Sequence, residues 1–297
     1  MPHDHDSCGH SHEHSHEHSH EHSLVYSCRW SGKTSICIFS RNRPLQLYAL
    51  LRSMKYVHPV RDITVLYSYD EEYLPALEEI KSKTNGVSFH EDNNFKEQVI
   101  TFLKNSGPLC LFLVDDIVFR RPFDTDMCVN IMSNNPQILT YSLRMGLHLN
   151  YCYPVNKTQP VPDGTVQGNH FLWSWRNSQH DWNYPFSVDG NVFRTNQLLG
   201  WIQHLEFTAP NSFEEAMQTI QHTFAIPDMC VCYTESSLFN NPLNRVQDTH
   251  KNRSGKVSSE QLLEKWNAGL EIDVAKLSRH IPNAAHFVVD LPLKDRK

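Results

Sequence analysis

Asp115 and Asp116 directly follow six apolar residues, Leu109-Cys110-Leu111-Phe112-Leu113-Val114. A short apolar run entered through Ser106-Gly107-Pro108 reads as a strand buried on both faces. Two carboxylates at its carboxyl end are costly to desolvate unless a positive group stands beside them. In an open α/β sheet, that edge is where ligands bind. The simplest partner is a divalent cation carrying a phosphorylated ligand, and oxygen ligands favour Mg2+ or Mn2+. The competing role is structural, with one aspartate capping the element that follows.

A second group with chemical potential is Ser40-Arg41-Asn42-Arg43-Pro44, which follows the β-branched and apolar run Thr34 to Phe39. Pro44 favours the first turn of a helix, and Leu45, Leu47, Leu50, Leu51 and Met54 supply its apolar stripe. Arg41 and Arg43 therefore sit at a strand's carboxyl end, on the same sheet edge as the aspartates. Two arginines beside a helix N-terminus suit a diphosphate or base clamp; their bland role is surface solvation.

The elements that position these groups alternate. Asp62 to Ser68 reads as a strand, Tyr73 to Lys83 as a helix, Val87 to Phe89 as a short strand and Phe95 to Asn105 as a helix. This alternation predicts a mostly parallel, Rossmann-like central sheet flanked by helices. No GxGxxG follows the first strand and no GxxxxGK[ST] occurs, which argues against a standard dinucleotide fold and a P-loop enzyme.

The 297 residues suffice for a core that buries roughly three quarters of the unfolded surface without disulfides. A net charge of −6 argues against nucleic acid as a partner. Eight scattered cysteines, Cys37 and Cys110 among them inside expected strands, read as reduced thiols. No stretch reaches the roughly 18 apolar residues of a membrane span, and the N-terminus lacks a signal-peptide core, so the expected setting is cytoplasmic. Residues 1–23 carry nine of the nineteen histidines in a His-Ser-His-Glu repeat, and 1–32 is expected to be a disordered tail and linker. Such imidazoles offer sites for Zn2+, Ni2+ or Cu2+, in storage or delivery; the alternative is a neutral repeat expansion.

Ile36-Cys37-Ile38-Phe39-Ser40-Arg41-Asn42-Arg43-Pro44 and Phe112-Leu113-Val114-Asp115-Asp116-Ile117-Val118-Phe119 together resemble a metal-dependent glycosyltransferase of the glycosyltransferase-A fold. Tyr184 to Phe193 and Ala209 to Glu214 resemble segments of bacterial-type members, and the likeness spans roughly residues 34–290. In that family the second motif is usually Asp-x-Asp; here Val114 takes the first position, leaving adjacent aspartates. The resemblance implies a nucleotide-binding half over 33–130 and an acceptor half over 131–297. It implies a nucleotide-diphosphate sugar as donor, a metal on Asp115 and Asp116, and Arg41 and Arg43 on the nucleotide, with Asp115 also near it. A C-terminal histidine often completes the metal's ligands, and His286, expected just before a short apolar strand, is the match. Arg120 and Arg121 are expected to balance local charge.

An inverting transfer needs a carboxylate within reach of the acceptor hydroxyl. Asp181, Asp189, Glu206 and Glu214 are available, and Asp189 is chosen because Val188-Asp189-Gly190-Asn191 sets it in a tight turn between apolar flanks. Its structural role would be that of an Asp-Gly turn residue. A retaining transfer needs no such base. Trp173, Trp175 and Trp182 are candidate sugar platforms or core anchors. Ser212 and Glu215 read as a capping box, and Asn240 to Gln247 as a polar loop lining the pocket or simply turning. The expected function is metal-assisted sugar transfer to a hydroxyl acceptor. The alternatives are a nucleotidyltransferase and a non-enzymatic metal-binding protein with a degenerate transferase domain.

Overall fold

The computed structural model describes residues 34–59, 62–246 and 253–297. The histidine-rich tail and its transition-metal reading lie outside them, as does Gln247 of the polar loop.

Nine strands build one sheet: β1 (Thr34–Arg41), β2 (Ile63–Ser68), β3 (Val87–Glu91), β4 (Leu109–Val114), β5 (Ile138–Ser142), β6 (Gly164–Gln167), β7 (His170–Ser174), β8 (Asn191–Arg194) and β9 (Met229–Tyr233). Their order is β6-β7-β9-β5-β8-β4-β1-β2-β3. Only β7 and β8 run against the rest, so the sheet is mostly parallel in strand direction. β8 enters antiparallel between β4 and β5 and joins the first half of the chain to the second. The register pairs Phe39 with Val114, so Arg41 and Asp115 emerge side by side at one edge.

The longer helices are α1 (Pro44–Ser53), α2 (Leu74–Lys83), α3 (Phe95–Asn105), α4 (Thr125–Asn134), α5 (Thr195–Ile202), α6 (Pro210–Gln218) and α7 (Ser259–Asn267). The period-two alternation of the central strands feeds two apolar layers. Ile36, Ile38, Leu111 and Leu113 face α1, α2, α4 and α7, whereas Cys37, Phe39, Cys110 and Phe112 face α3, α5 and α6. This covering of both faces explains why β1 and β4 are apolar throughout rather than alternating with polar residues. Helix starts follow local chemistry. Pro44 opens α1, the Asp124 carboxylate accepts the Met127 N–H at 2.9 Å to start α4, and Ser258 with Gln261 forms the capping box of α7.

One open alternative closes and two expectations are corrected. Trp173, Trp175 and Trp182 are only 1–2% exposed and stack into the second apolar layer, Trp173 edge-on to Trp182 at 4.9 Å. They are core anchors and present no face to a sugar. α6 starts at Pro210, so Ser212 is its third residue, and the Ser212 hydroxyl accepts the Thr208 and Ala209 N–H groups; Ser212 and Glu215 do not form the expected box. Phe287 to Val289 form no strand: one bridge pairs His286 with Asn240, and the next strand is Leu293–Asp295.

The six described cysteines are buried and free, and burial pushes the Cys110 thiol up to about 12, which suits inert core residues. No helix among the described residues is long and apolar enough to cross a membrane.

The structure makes a pH-dependent stability expectation. His170 is 1% exposed, bonded to the Tyr141 hydroxyl at 2.8 Å and stacked on Tyr233, and burial lowers its pKa to about 4. Above about pH 6.5 both folded and unfolded states hold it neutral. Between about pH 6.5 and 4 only the unfolded chain takes the proton, so stability should fall by about 3 kcal/mol. Burial lowers His148 to about 4 as well, so it contributes in the same window. Urea unfolding across that range should give a clearly shallower slope for His170→Gln than for the wild type. An unchanged slope would remove His170 from the explanation.

Candidate active site

At the end of β4, Asp115 and Asp116 are 2% and 8% exposed. The positive partner that such a pair requires is Arg43. Its Nη1 donates to Asp115 Oδ1 at 2.9 Å and to Asp116 Oδ2 at 3.2 Å. Asp115 Oδ2 accepts the Ser40 hydroxyl and the Arg41 backbone N–H, each at 3.0 Å. Burial works against the Arg43 charge, and the two carboxylates outweigh it, holding the guanidinium protonated. Both oxygens of Asp115 are thus occupied in tying the β1–α1 loop to β4. Arg41 keeps an exposed guanidinium at the same edge, so the expected arginine clamp divides into a buried counter-ion and an outward cation. Between them Asn42 adopts φ +50°, and its side chain is held by Asp70 at 2.6 and 2.8 Å.

The polar loop after β9 lines the site. Leu238–Asn240 pairs antiparallel with Ile117–Phe119, which carries the strap Asn240-Asn241-Pro242-Leu243-Asn244 over the acidic pair. Asn240 Nδ2 donates to Asp116 Oδ1 at 3.2 Å, and the Asn241 N–H donates to the Asp116 carbonyl at 2.9 Å. The Asn244 carbonyl accepts Arg43 Nη2, and the Asn244 side chain accepts from Gln46.

Asp189 and His286 meet on the other side of Asn240. The Asn240 carbonyl accepts the Phe287 N–H at 2.8 Å, and its N–H donates to Ala285 at 2.9 Å, which sets His286 in place. His286 Nε2 lies 3.0 Å from Asp189 Oδ2. Burial would raise the Asp189 carboxyl, but the hydrogen bond and charge of His286 outweigh it and hold it below the usual range. Burial would lower His286, yet the same contact lifts it above the ordinary histidine value.

Among the other carboxylates, Asp181 is committed to Arg144 at 3.3 Å and Gln159 at 3.2 Å, and Glu206 forms a surface pair with Lys96. Glu214, the fifth residue of α6, is half-buried. Burial and the negative charge of Asp189 push its carboxyl up to about 7, while Arg144, His286 and the Tyr184 hydroxyl pull the other way. The sequence offers Glu214 as a candidate base but places Asp189 above it. It offers Asn240 only as part of a loop that lines the pocket or turns, and it does not offer Tyr184 and Arg144 as site residues. Arg120 and Arg121 pair with Glu235 rather than with the aspartates.

Among the described residues, no three of His, Cys, Asp and Glu gather as a metal-ligand set. The residues around Asp116 nevertheless fit a cation that arrives with ligands of its own. Asn240 Oδ1 and His286 Nδ1 are both buried without a hydrogen-bond partner among the described residues, and Asn240 already touches Asp116. One carboxylate, one amide oxygen and one imidazole nitrogen make a mixed donor set suited to Mn2+. Asp115 accepts from three protein donors and Asp116 from two, so Asp116 has the more open oxygens for a ligand.

No protein-family model matches the chain. It is 24% identical over 256 residues to the bifunctional glycosyltransferase pgtA of Dictyostelium discoideum, covering 75% of this chain and 33% of that protein. The chain thus spans about a third of that relative's length. Solved structures with partial likeness include mannosyltransferase PcManGT from Pyrobaculum calidifontis, in complex with GDP-Man and Mn2+ (TM-score 0.42, 9% identity, 72% of this chain and 57% of that one). S. aureus TarS residues 1–349 gives a TM-score of 0.41 at 12% identity, over 71% and 61%. A cytidylyltransferase from Leptospira borgpetersenii gives 0.40 at 14%, over 80% and 94%. Likeness of this size, divided between two reaction classes, decides nothing about the ligand.

Proposed function

We propose that this chain is a glycosyltransferase that moves a sugar from a nucleotide-diphosphate sugar to a hydroxyl acceptor, assisted by Mn2+ or Mg2+. The observation that carries the reading is the convergence on one sheet edge of an acidic pair, an uncommitted arginine, an Asp–His pair and a second carboxylate. The distant resemblance to a glycosyltransferase supports it.

In this reading residues 33–130 hold the nucleotide and 131–297 the acceptor. Arg41 contacts the nucleotide, while Arg43 stays on the acidic pair and balances its charge. Asp116, with His286 and Asn240, is where a divalent cation would be held. The chemistry such a cation supplies is neutralisation of the diphosphate as the glycosidic bond breaks. Asp115 orders the loop that carries Arg41, and Asp189 is the base that the sequence put forward.

Calorimetric titration of UDP- and GDP-sugars into the full chain, with and without Mn2+, tests the proposal. Metal-dependent binding of one nucleotide class is expected. Asp116→Ala should weaken it at least about tenfold, or about 1.4 kcal/mol. If neither class binds under any condition, the transferase reading fails. If NTP and a sugar phosphate instead yield pyrophosphate, the chain is a nucleotidyltransferase.

A further inference from the structure

Resting on the glycosyltransferase reading, we propose that the two carboxylates at the acceptor side divide the work: Asp189 is a positioning residue that fixes His286, and Glu214 takes the proton of the incoming hydroxyl.

The case for Asp189 is its partner. Its Oδ2 accepts from His286 Nε2 at 3.0 Å, and it is 9% exposed, so an acceptor hydroxyl has little room to reach it. A carboxylate holding one ring N–H fixes the tautomer and leaves the other nitrogen as a lone-pair donor. That other nitrogen, His286 Nδ1, is buried with no hydrogen-bond partner among the described residues, as is Asn240 Oδ1 on the residue paired with His286. Asn240 touches Asp116 and is paired with His286, so a cation ligated from that side would satisfy both buried groups. Asp189 then acts on the site only through the imidazole.

The case for Glu214 begins with elimination. Asp181 and Glu206 are consumed by Arg144 with Gln159 and by Lys96, and Asp189 by His286. Glu214 is half-buried, and its neighbour Tyr184 is 36% exposed, so this corner of the site opens to solvent where an acceptor must enter. The buried Arg144 guanidinium nearby limits the cost of keeping Glu214 ionised. In the step, the acceptor oxygen bonds to the anomeric carbon and its proton passes to the Glu214 carboxylate. The bond from that carbon to the diphosphate oxygen breaks, and its electron pair leaves with the diphosphate. One displacement with an external base inverts the anomeric centre.

The test uses the full chain, with water as acceptor and UDP- or GDP-sugar as donor, and reads two quantities separately. Mn2+ affinity is measured by electron paramagnetic resonance in the presence of UDP or GDP; the histidine tail is common to all variants and cancels in the comparison. Donor hydrolysis is followed at saturating Mn2+, with NMR identifying the anomer first released. Glu214→Gln should slow hydrolysis at least about a hundredfold and leave Mn2+ affinity within about twofold of wild type. Asp189→Asn should weaken Mn2+ about ten- to a hundredfold and regain most of the hydrolysis rate when Mn2+ is raised. His286→Gln should reproduce that loss, and the double variant with Asp189→Asn should be no worse, because both act through one ring. Additive losses, or the opposite division of effects between Asp189 and Glu214, overturn the proposal. So does release of the retained anomer. If the wild type binds neither nucleotide, it is the transferase reading that has failed.

Discussion

Arg43→Met is expected to destabilise the protein by about 3–5 kcal/mol, the cost of breaking a buried ion cluster from one side. The Nη1 atom of Arg43 alone spans Asp115 and Asp116, and all three side chains are nearly excluded from water. Removing the guanidinium leaves two adjacent carboxylates in low dielectric and strips the Asn244 carbonyl of a donor. Methionine keeps most of the volume, so the loss measures charge rather than packing. Asp115→Asn in the same chain should recover part of it, because one of the stranded charges disappears while the Ser40 contact can persist. Denaturant unfolding of the three proteins provides the comparison. A single variant within about 1 kcal/mol of wild type would mean that the aspartates are not both ionised in the folded state.

Gly190→Ala is the second large effect, and it joins stability to the site. Gly190 has φ +94°, a region that L side chains rarely adopt, and a Cβ there would lie 2.8 Å from Leu238 Cδ2. Leu238 is fully buried at the base of the strap. Strain of about 1–3 kcal/mol and overpacking of similar size act together, giving roughly 2–5 kcal/mol. The backbone of Gly190 also donates to Phe112 and accepts from Leu143, fastening the turn to β4 and to the segment after β5. Any shift there moves Asp189 away from His286. Nucleotide binding in the presence of Mn2+ should therefore fall even at temperatures where the variant is fully folded. Intact binding by a folded Gly190→Ala would separate the turn from the site.

Much of the frame is legible in the chain. Leu109 to Val114 announces a doubly covered strand because no polar residue interrupts it, and the end of that run locates the acidic pair. Phe95 to Asn105 is read to the residue, since its apolar spacing and the Asn94 cap agree. The direction of β8 is not legible, because an apolar run reports burial and says nothing of which neighbour it pairs with. Trp173, Trp175 and Trp182 stay undecided in the sequence for a related reason: composition alone cannot distinguish an aromatic face turned to solvent from one turned to the core. The hairpin of β6 and β7 was within reach. Gly168, with φ +59°, and Asn169 form the two-residue turn between them, a recognised hairpin signal inside a stretch that otherwise lacks periodicity. In the site, the adjacent carboxylates call for a positive partner, and the structure supplies Arg43, which the sequence assigns to the nucleotide because no local pattern says which way a side chain turns. The contact between Asp189 and His286 depends on the path of the strap, which no local pattern encodes.

The contacts that assemble this edge join residues far apart in the chain. Arg43 reaches Asp115 across 72 positions, Asp189 reaches His286 across 97 and Arg43 reaches Asn244 across 201. Each such closure must be made before it is rewarded, so topology of this kind folds slowly and stepwise assembly of the edge gains little. A chain refolding from denaturant should therefore recover its helical signal well before it recovers nucleotide binding. The interval between the two signals would time the moment when the strap closes over Asp116.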